Sequence, residues 1–455
     1  MPLPATLEKL RAKLVHEVSS QRHLLANAGS MFGATIVTSL LGVAFWWLAT
    51  HDFSKHAVGV AAAAVGAMTL LGFMSTLGLG TLLMGELPRL DSGHRSLINA
   101  ALAITAPAGA LVGILFAVIA PEVSSNFEPI AESWITILAF ATGVALTALA
   151  LVLDQALLGL LRGSLQLRRN AVFAGVKLLA LVPIAAFVVD AGSAWIYSAW
   201  TIGIAASLFV MTRFYRHRGD DSLRPDFGPL KEMRLSAASH HAFNVALQIP
   251  AMAMPVLVVG LVSAEANASF YIAWMIAGLL AMVPISLATV LYPIGSQDKT
   301  RMAQGLKLTL TVAFSLGVLA NLILVPGAVP ILEIFGSSYA EQGAATLHIL
   351  VLGVFPLTFK TLYVSVHRVQ RKLGSALPIV WGGTILELVG AVVGSKLGSG
   401  LTGIAWGWLA AVYIEGIVMA GDVLKAVRSP TDAATAQALE PSQIAEAESP
   451  GWIKT

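Results

Sequence analysis

Five ionisable residues stand inside long apolar runs of this sequence: Asp154, Lys177, Lys360, Glu387 and Glu415. A charge at hydrocarbon depth costs about 2.5–3.5 kcal/mol or more, so such residues are paired, hydrated or in use. Asp154 precedes Arg162 by eight residues and Lys177 follows Asn170 by seven. At the helical rise both then lie about 10–12 Å inside the same membrane face. On antiparallel helices joined by a short turn, that spacing predicts an Asp154–Lys177 ion pair. Two readings of the pair stay open: a clasp between helices, or a lysine facing a water-filled cavity where it attracts an anion. The second half of the chain repeats the pattern with the signs exchanged. Lys360 precedes Arg368 by eight residues, and Glu387 lies more than a turn deeper than Lys177, within reach of a side chain as long as lysine. Glu415 has no evident partner, so it is either a protonated glutamate bonded to a neighbouring helix or, with Glu387, a coupling-ion site.

A second group is polar rather than charged. In SHHAFNVALQIP (239–250), His240, Asn244 and Gln248 follow an i, i+4, i+8 spacing and form one stripe, with His241 beside it. Asn27, Ser30, Thr35, Thr38 and Ser39 form a sparser counterpart on the first apolar run. Such stripes line a shared cavity or bond helices together. The histidine pair is no metal site, because no third ligand has suitable spacing. With no cysteine in the chain, disulfides, thiol catalysis and thiolate metal sites are excluded. The glycines Gly59, Gly66, Gly72, Gly78 and Gly80 precede no GK[ST] and follow no strand, so they are packing residues and not a phosphate loop. No cofactor is implied.

The elements that position these residues follow from composition. The chain is 56% hydrophobic and 12% charged, half the usual supply of charge, with a mean hydropathy of +0.78. So few charges cannot cover a water-soluble protein of 455 residues; a bilayer supplies the other solvent. Spans of roughly 20 apolar residues fall at 27–49, 57–84, 97–120, 134–161, 171–190 and 195–214, then at 237–262, 269–294, 306–329, 344–366, 375–395 and 400–421. Twenty-four of the 28 Lys and Arg residues lie on one side of this arrangement, only Lys55 and Lys396 on the other, with Lys177 and Lys360 inside spans. Positively charged loops face the cytoplasm, which puts both termini there. Because the basic residues sit in short loops, they describe topology and not a nucleic-acid surface. Trp46, Trp47, Trp134 and Trp195 fall at outer span ends, as an interfacial belt would. Pro250 and Pro255 are expected to bend the seventh span.

The predicted organisation is thus a short amphipathic cytoplasmic segment at 1–26, a six-helix lobe at 27–214, a cytoplasmic linker at 215–236, a second six-helix lobe at 237–421 and a disordered cytoplasmic tail at 422–455. An even number of spans per half places the two lobes in parallel orientation. The fold class is all-α and polytopic.

Three stretches resemble the polysaccharide-flippase branch of the multidrug/oligosaccharidyl-lipid/polysaccharide (MOP) exporter superfamily. They are LLANAGSMFGATIVTSLLGVAFWWLAT (24–50), LLGFMSTLGLGTLLMGELPRL (70–90) and LDQALLGLLRGSLQLRRNAVFAGVKLL (153–179). The resemblance is strongest over 24–180; the second half matches by span count and loop charge. It implies twelve helices in two lobes around a central cavity that opens alternately to each side. It also implies a lipid-linked sugar on a polyprenyl diphosphate, moved from inner to outer leaflet of a bacterial cytoplasmic membrane for surface polysaccharide assembly, with other membrane proteins of that assembly as partners. Lys177 and Lys360, one per lobe, are then the candidates for the diphosphate, with His240, His241, Asn244 and Gln248 as added donors. The drug-exporter branch of the same superfamily typically relies on an acidic residue within span 1 or span 7, and 27–49 and 237–262 contain none. A membrane-embedded polymerase or ligase tends to use a large outer loop with Arg and His. The longer outer loops here, 121–133 and 330–343, have neither, so no enzymatic activity is expected.

Overall fold

The computed structural model describes residues 37–215, 224–232, 234–295, 299–370, 372–398 and 400–439. The amphipathic segment expected at 1–26, the first ten residues of the first span and the last part of the tail lie outside them. Among the described residues there is no β-strand. Two compact units divide the chain between Ala242 and Phe243.

The first unit opens with helix α1 (37–52) and continues through α2 (Lys55–Ser75), α3 (Leu79–Glu86), α4 (His94–Val123), the short α5 (Glu128–Ala131), α6 (Trp134–Gly159), α7 (Gly163–Phe187) and α8 (Ser193–Tyr215). After α8 comes α9 (Gly228–Glu232), and α10 (Arg234–Leu261) carries the boundary between units. The second unit holds α11 (Ala264–Gly295), α12 (Lys299–Glu333), α13 (Ser337–Leu350), α14 (Val354–Val369), α15 (Leu373–Leu397) and α16 (Gly400–Leu439). Eleven helical segments among the described residues are long and apolar enough to cross a membrane, α13 and α14 counting as one through the 3-10 turn between them. α1 occupies the place of the remaining predicted span.

Burial follows the character of each run. α2 reads AVGVAAAAVGA at its centre and is buried there on all sides, small residues letting neighbouring backbones approach closely. α4 and α12 do the opposite: Leu111, Leu115, Val118 and Ile119 on α4, and Leu316, Leu319, Leu322 and Ile323 on α12, are exposed. Stripes of this size facing water would be an aggregation surface; facing lipid tails they cost nothing. The chain is a multi-pass membrane protein.

Four expectations are revised. The predicted second span is two helices, because Leu77 and Gly78 both take left-handed backbone angles (φ 51° and 77°) and a right-handed helix cannot run through them. Part of the expected linker is a short helix packed on the first unit: Ser96 Oγ donates to Arg224 O, Asp226 N donates to Ser96 O, and Leu230 is buried with Leu87, Leu97 and Ile98. α16 runs on past 421 to Leu439, into the stretch expected to be disordered, where TDAATAQAL is rich in strong helix formers. Trp46 is only 1% exposed and packs on Phe45 and Trp200, so it does not belong to an interfacial belt; Trp47, Trp134 and Trp195 are exposed.

Candidate functional site

The predicted Asp154–Lys177 pair does not form. Asp154 is held instead by Arg169, whose Nε donates to Oδ1 at 2.6 Å and Nη2 to Oδ2 at 2.5 Å. This is the two-pronged geometry that planar guanidinium offers a carboxylate. Two of the three remaining Arg169 protons are used as well, on Ser207 Oγ of α8 at 3.3 Å and Asn170 Oδ1 at 2.7 Å. Asp154 and Arg169 are 9% and 5% exposed, so the pair is a neutral knot tying α6, α7 and α8.

The misplacement has a geometric cause. The turn between α6 and α7 is tight, with Leu161 at φ 55° and Arg162 N bonded back to Leu157 O. α7 therefore begins at Gly163 and not near 171. Arg169 then lies as far after the turn as Asp154 lies before it. Lys177 falls fourteen residues into α7, about 21 Å from its start and near the middle of the hydrocarbon.

Lys177 is 4% exposed, and no carboxylate pairs with it among the described residues. Its ammonium sits over aromatic faces: 3.7 Å from the ring centre of Trp200 on α8, 4.7 Å from Phe173 one turn earlier on α7, and 5.2 Å from Phe45 on α1. Desolvated cation–π contacts stabilise by about 2 kcal/mol or more, so the rings offset part of the cost of burial while leaving the charge uncompensated. α7 and α8 come this close because Gly203 faces Lys177; a Cβ there would stand 2.7 Å from the Lys177 Cβ.

The second unit gathers its charges in one place. Lys360 Nζ on α14 donates to Glu387 Oε1 on α15 at 2.6 Å and to Glu415 Oε2 on α16 at 3.0 Å. Trp408 Nε1 on α16 donates to the other Glu387 oxygen at 2.7 Å. Glu415, for which the sequence offered no partner, is thus the third member of a buried cluster. Gly383 on α15 makes room for it, since a Cβ there would overlap the Glu415 carboxylate. Lys360 is engaged by both carboxylates, unlike Lys177.

The polar stripe on α10 divides. His241 Nε2 lies 3.1 Å from Met74 O, its ring near Phe73. Asn244 Oδ1 accepts from Arg368 Nη2 at 3.1 Å, and Gln248 is exposed. The side chain of His240 lies outside what is described. Arg169, Trp200, Phe173, Phe45 and Trp408 were not singled out from the sequence. A single signal would have found Arg169: centring the α6–α7 turn on residues 161–162 pairs 154 with 169.

No protein-family model and no curated protein sequence matches the chain. Solved structures do. An inward-facing multidrug resistance MATE family transporter of the MOP superfamily is similar with a TM-score of 0.65 at 12% identity, over 86% of this chain and 95% of that one. A Vibrio cholerae MATE transporter is similar at 0.59 and 17% identity, over 88% and 94%. A Pyrococcus furiosus MOP superfamily transporter, described as having a binding pocket of reverse polarity that suggests a different function, is similar at 0.57 and 15%, over 87% and 94%. This polytopic, all-helical chain has the fold of the MATE transporters of the MOP superfamily.

Proposed function

We propose that this protein is a transporter, not an enzyme, and that it moves an anionic lipid-linked sugar, carried on a polyprenyl diphosphate, from the inner to the outer leaflet by alternating access. The reading includes a bacterial inner membrane with both termini in the cytoplasm. The observation that carries it is the state of Lys177. Among the described residues of the first unit's spans, Asp154 is the one carboxylate away from a helix end, and Arg169 neutralises it. The charge left over is positive. A diphosphate reaching Lys177 displaces aromatic contacts of about 2 kcal/mol, whereas breaking a buried ion pair costs about 3–5 kcal/mol. An organic cation would meet repulsion at the same place.

The test is flipping in proteoliposomes with a fluorescent polyprenyl-diphosphate oligosaccharide and an external quencher. The wild-type protein is expected to move the lipid, and empty vesicles are not. Lys177→Gln is expected to lower the rate at least about tenfold while leaving expression intact, the loss of a charge-assisted contact of about 1.5–3 kcal/mol. Wild-type rates in that variant would remove Lys177 from the substrate path.

A second reading, export of a small organic cation, draws on the surplus carboxylate of the second unit. It predicts ion-driven efflux of a fluorescent cation and no movement of the lipid-linked sugar.

A further inference from the structure

Lys55 and Lys396 are the two basic residues that the span assignment leaves on the side opposite the basic loops. Lys396 stands in the last turn of α15 and is exposed. From its level inward, α15 and α16 form a groove of about 660 Å³. The floor is the backbone of glycines through which the two helices meet, Gly390 and Gly394 on one and Gly403 and Gly407 on the other. These residues bring the helices close and add no side chain to fill the space above the contact. The walls are Val393 and Leu397 on α15, and Trp406, Ala410 and Ile414 on α16, all exposed. No charged side chain lines the groove.

Three features identify what fills it. First, the walls are apolar and lie within spans, so the groove takes an alkyl chain. A peptide laid there would leave backbone polar groups unsatisfied. Second, the length matches one leaflet. Leu386 and Leu397 mark the ends of the lining on α15, and Thr402 and Ile414 those on α16. At the helical rise these are about 16 and 18 Å apart, against about 15 Å for half the hydrocarbon thickness. One acyl chain fits that length; a polyprenyl chain, several times longer, runs on past the inner end. Third, the open end carries positive charge. Lys396 adjoins Leu397 and Gly398, both in the lining, and a lysine at a span end reaches toward the interface.

We propose that the α15–α16 groove is a binding site for an anionic phospholipid of the outer leaflet, with one acyl chain on the glycine floor and the headgroup phosphate at Lys396. The site belongs to the second unit alone and does not depend on the transporter reading. Within a bilayer the chain gains little from apolar contact, because it exchanges one hydrocarbon surrounding for another. Selectivity therefore comes from the headgroup. One lysine near the phosphate gives about a fivefold preference for an anionic over a zwitterionic lipid, the equivalent of about 1 kcal/mol.

The test is photocrosslinking of the full-length protein in nanodiscs. The probe is a phosphatidylglycerol with a diazirine midway along one acyl chain, and adducts are mapped by peptide mass spectrometry. Adducts are expected within 386–414. Unlabelled phosphatidylglycerol is expected to displace the probe there at about one fifth of the concentration needed with phosphatidylcholine of the same chains. Ala410→Trp, which fills the groove from an exposed position, should remove those adducts and leave others in place. Lys396→Gln should make the two lipids equal competitors, and it keeps the test decisive if the filled variant does not fold.

Adducts spread equally over the exposed faces of α4 and α12, and unaffected by Ala410→Trp, overturn the site. Equal competition by the two lipids in the wild type, or an unchanged preference in Lys396→Gln, overturns the role of the headgroup. Displacement by a polyprenyl phosphate at lower concentration than phosphatidylglycerol overturns the choice of occupant. None of these outcomes bears on whether the protein flips a lipid-linked sugar, which the proteoliposome measurement reads separately.

Discussion

Asp154 and Lys177 share a membrane and the right signs, yet the carboxylate is held by Arg169. A guanidinium at matched depth offers two parallel bonds and still has protons for Ser207 and Asn170. Asp154→Asn leaves that guanidinium buried with neutral partners only. A loss of about 3–5 kcal/mol is expected, read as earlier thermal loss of the monodisperse peak in detergent. Adding Arg169→Met should restore most of the stability, because the pair is then replaced by groups that need no charge. An Asp154→Asn protein as stable as wild type would mean that Arg169 finds water at this depth.

The close approach of helices is the next decision. α15 and α16 meet backbone to backbone, with Gly407 against the Gly390 carbonyl and Gly394 against Gly403. This contact lies two turns before Glu415 on α16 and holds that residue within reach of Lys360. Gly407→Leu is expected to destabilise by about 1–3 kcal/mol through overpacking. Gly421 lies on the same helix with open space around it. There Gly421→Ala should be neutral or stabilising by about 0.5–1 kcal/mol. Parallel thermal melts of the two variants check this, and a Gly407→Leu protein as stable as Gly421→Ala would show that the α15–α16 contact does not require a bare backbone at Gly407.

Across the whole molecule, the proposed topology rests on where Lys and Arg fall. The chain has no cysteine, so single cysteines can be introduced without background. In sealed right-side-out vesicles, Lys55→Cys and Lys396→Cys are expected to react with a membrane-impermeant maleimide. Arg95→Cys and Lys231→Cys should react only after permeabilisation. The opposite pattern would invert the protein and the direction of transport with it.

Span number, helix type and the burial of Asp154, Lys177, Lys360, Glu387 and Glu415 were legible from residue order, because hydropathy and loop charge are summed over tens of residues and tolerate boundary errors of a turn; the burial of Arg169 and His367 was not. Partner choice does not tolerate them. Placing the start of α7 near 171 instead of at Gly163 exchanged Arg169 for Lys177 as the partner of Asp154. The aromatic surroundings of Lys177 draw on α1, α7 and α8, and the Glu415 contact on α14 and α16, which residue order alone does not bring together. Local composition determined that this chain lives in a membrane and which charges it must hide there. Only the tertiary structure decided that Asp154 would be neutralised, Lys177 caged by rings and one carboxylate left in surplus, because each outcome depends on which side chains a fixed backbone brings within a few ångströms.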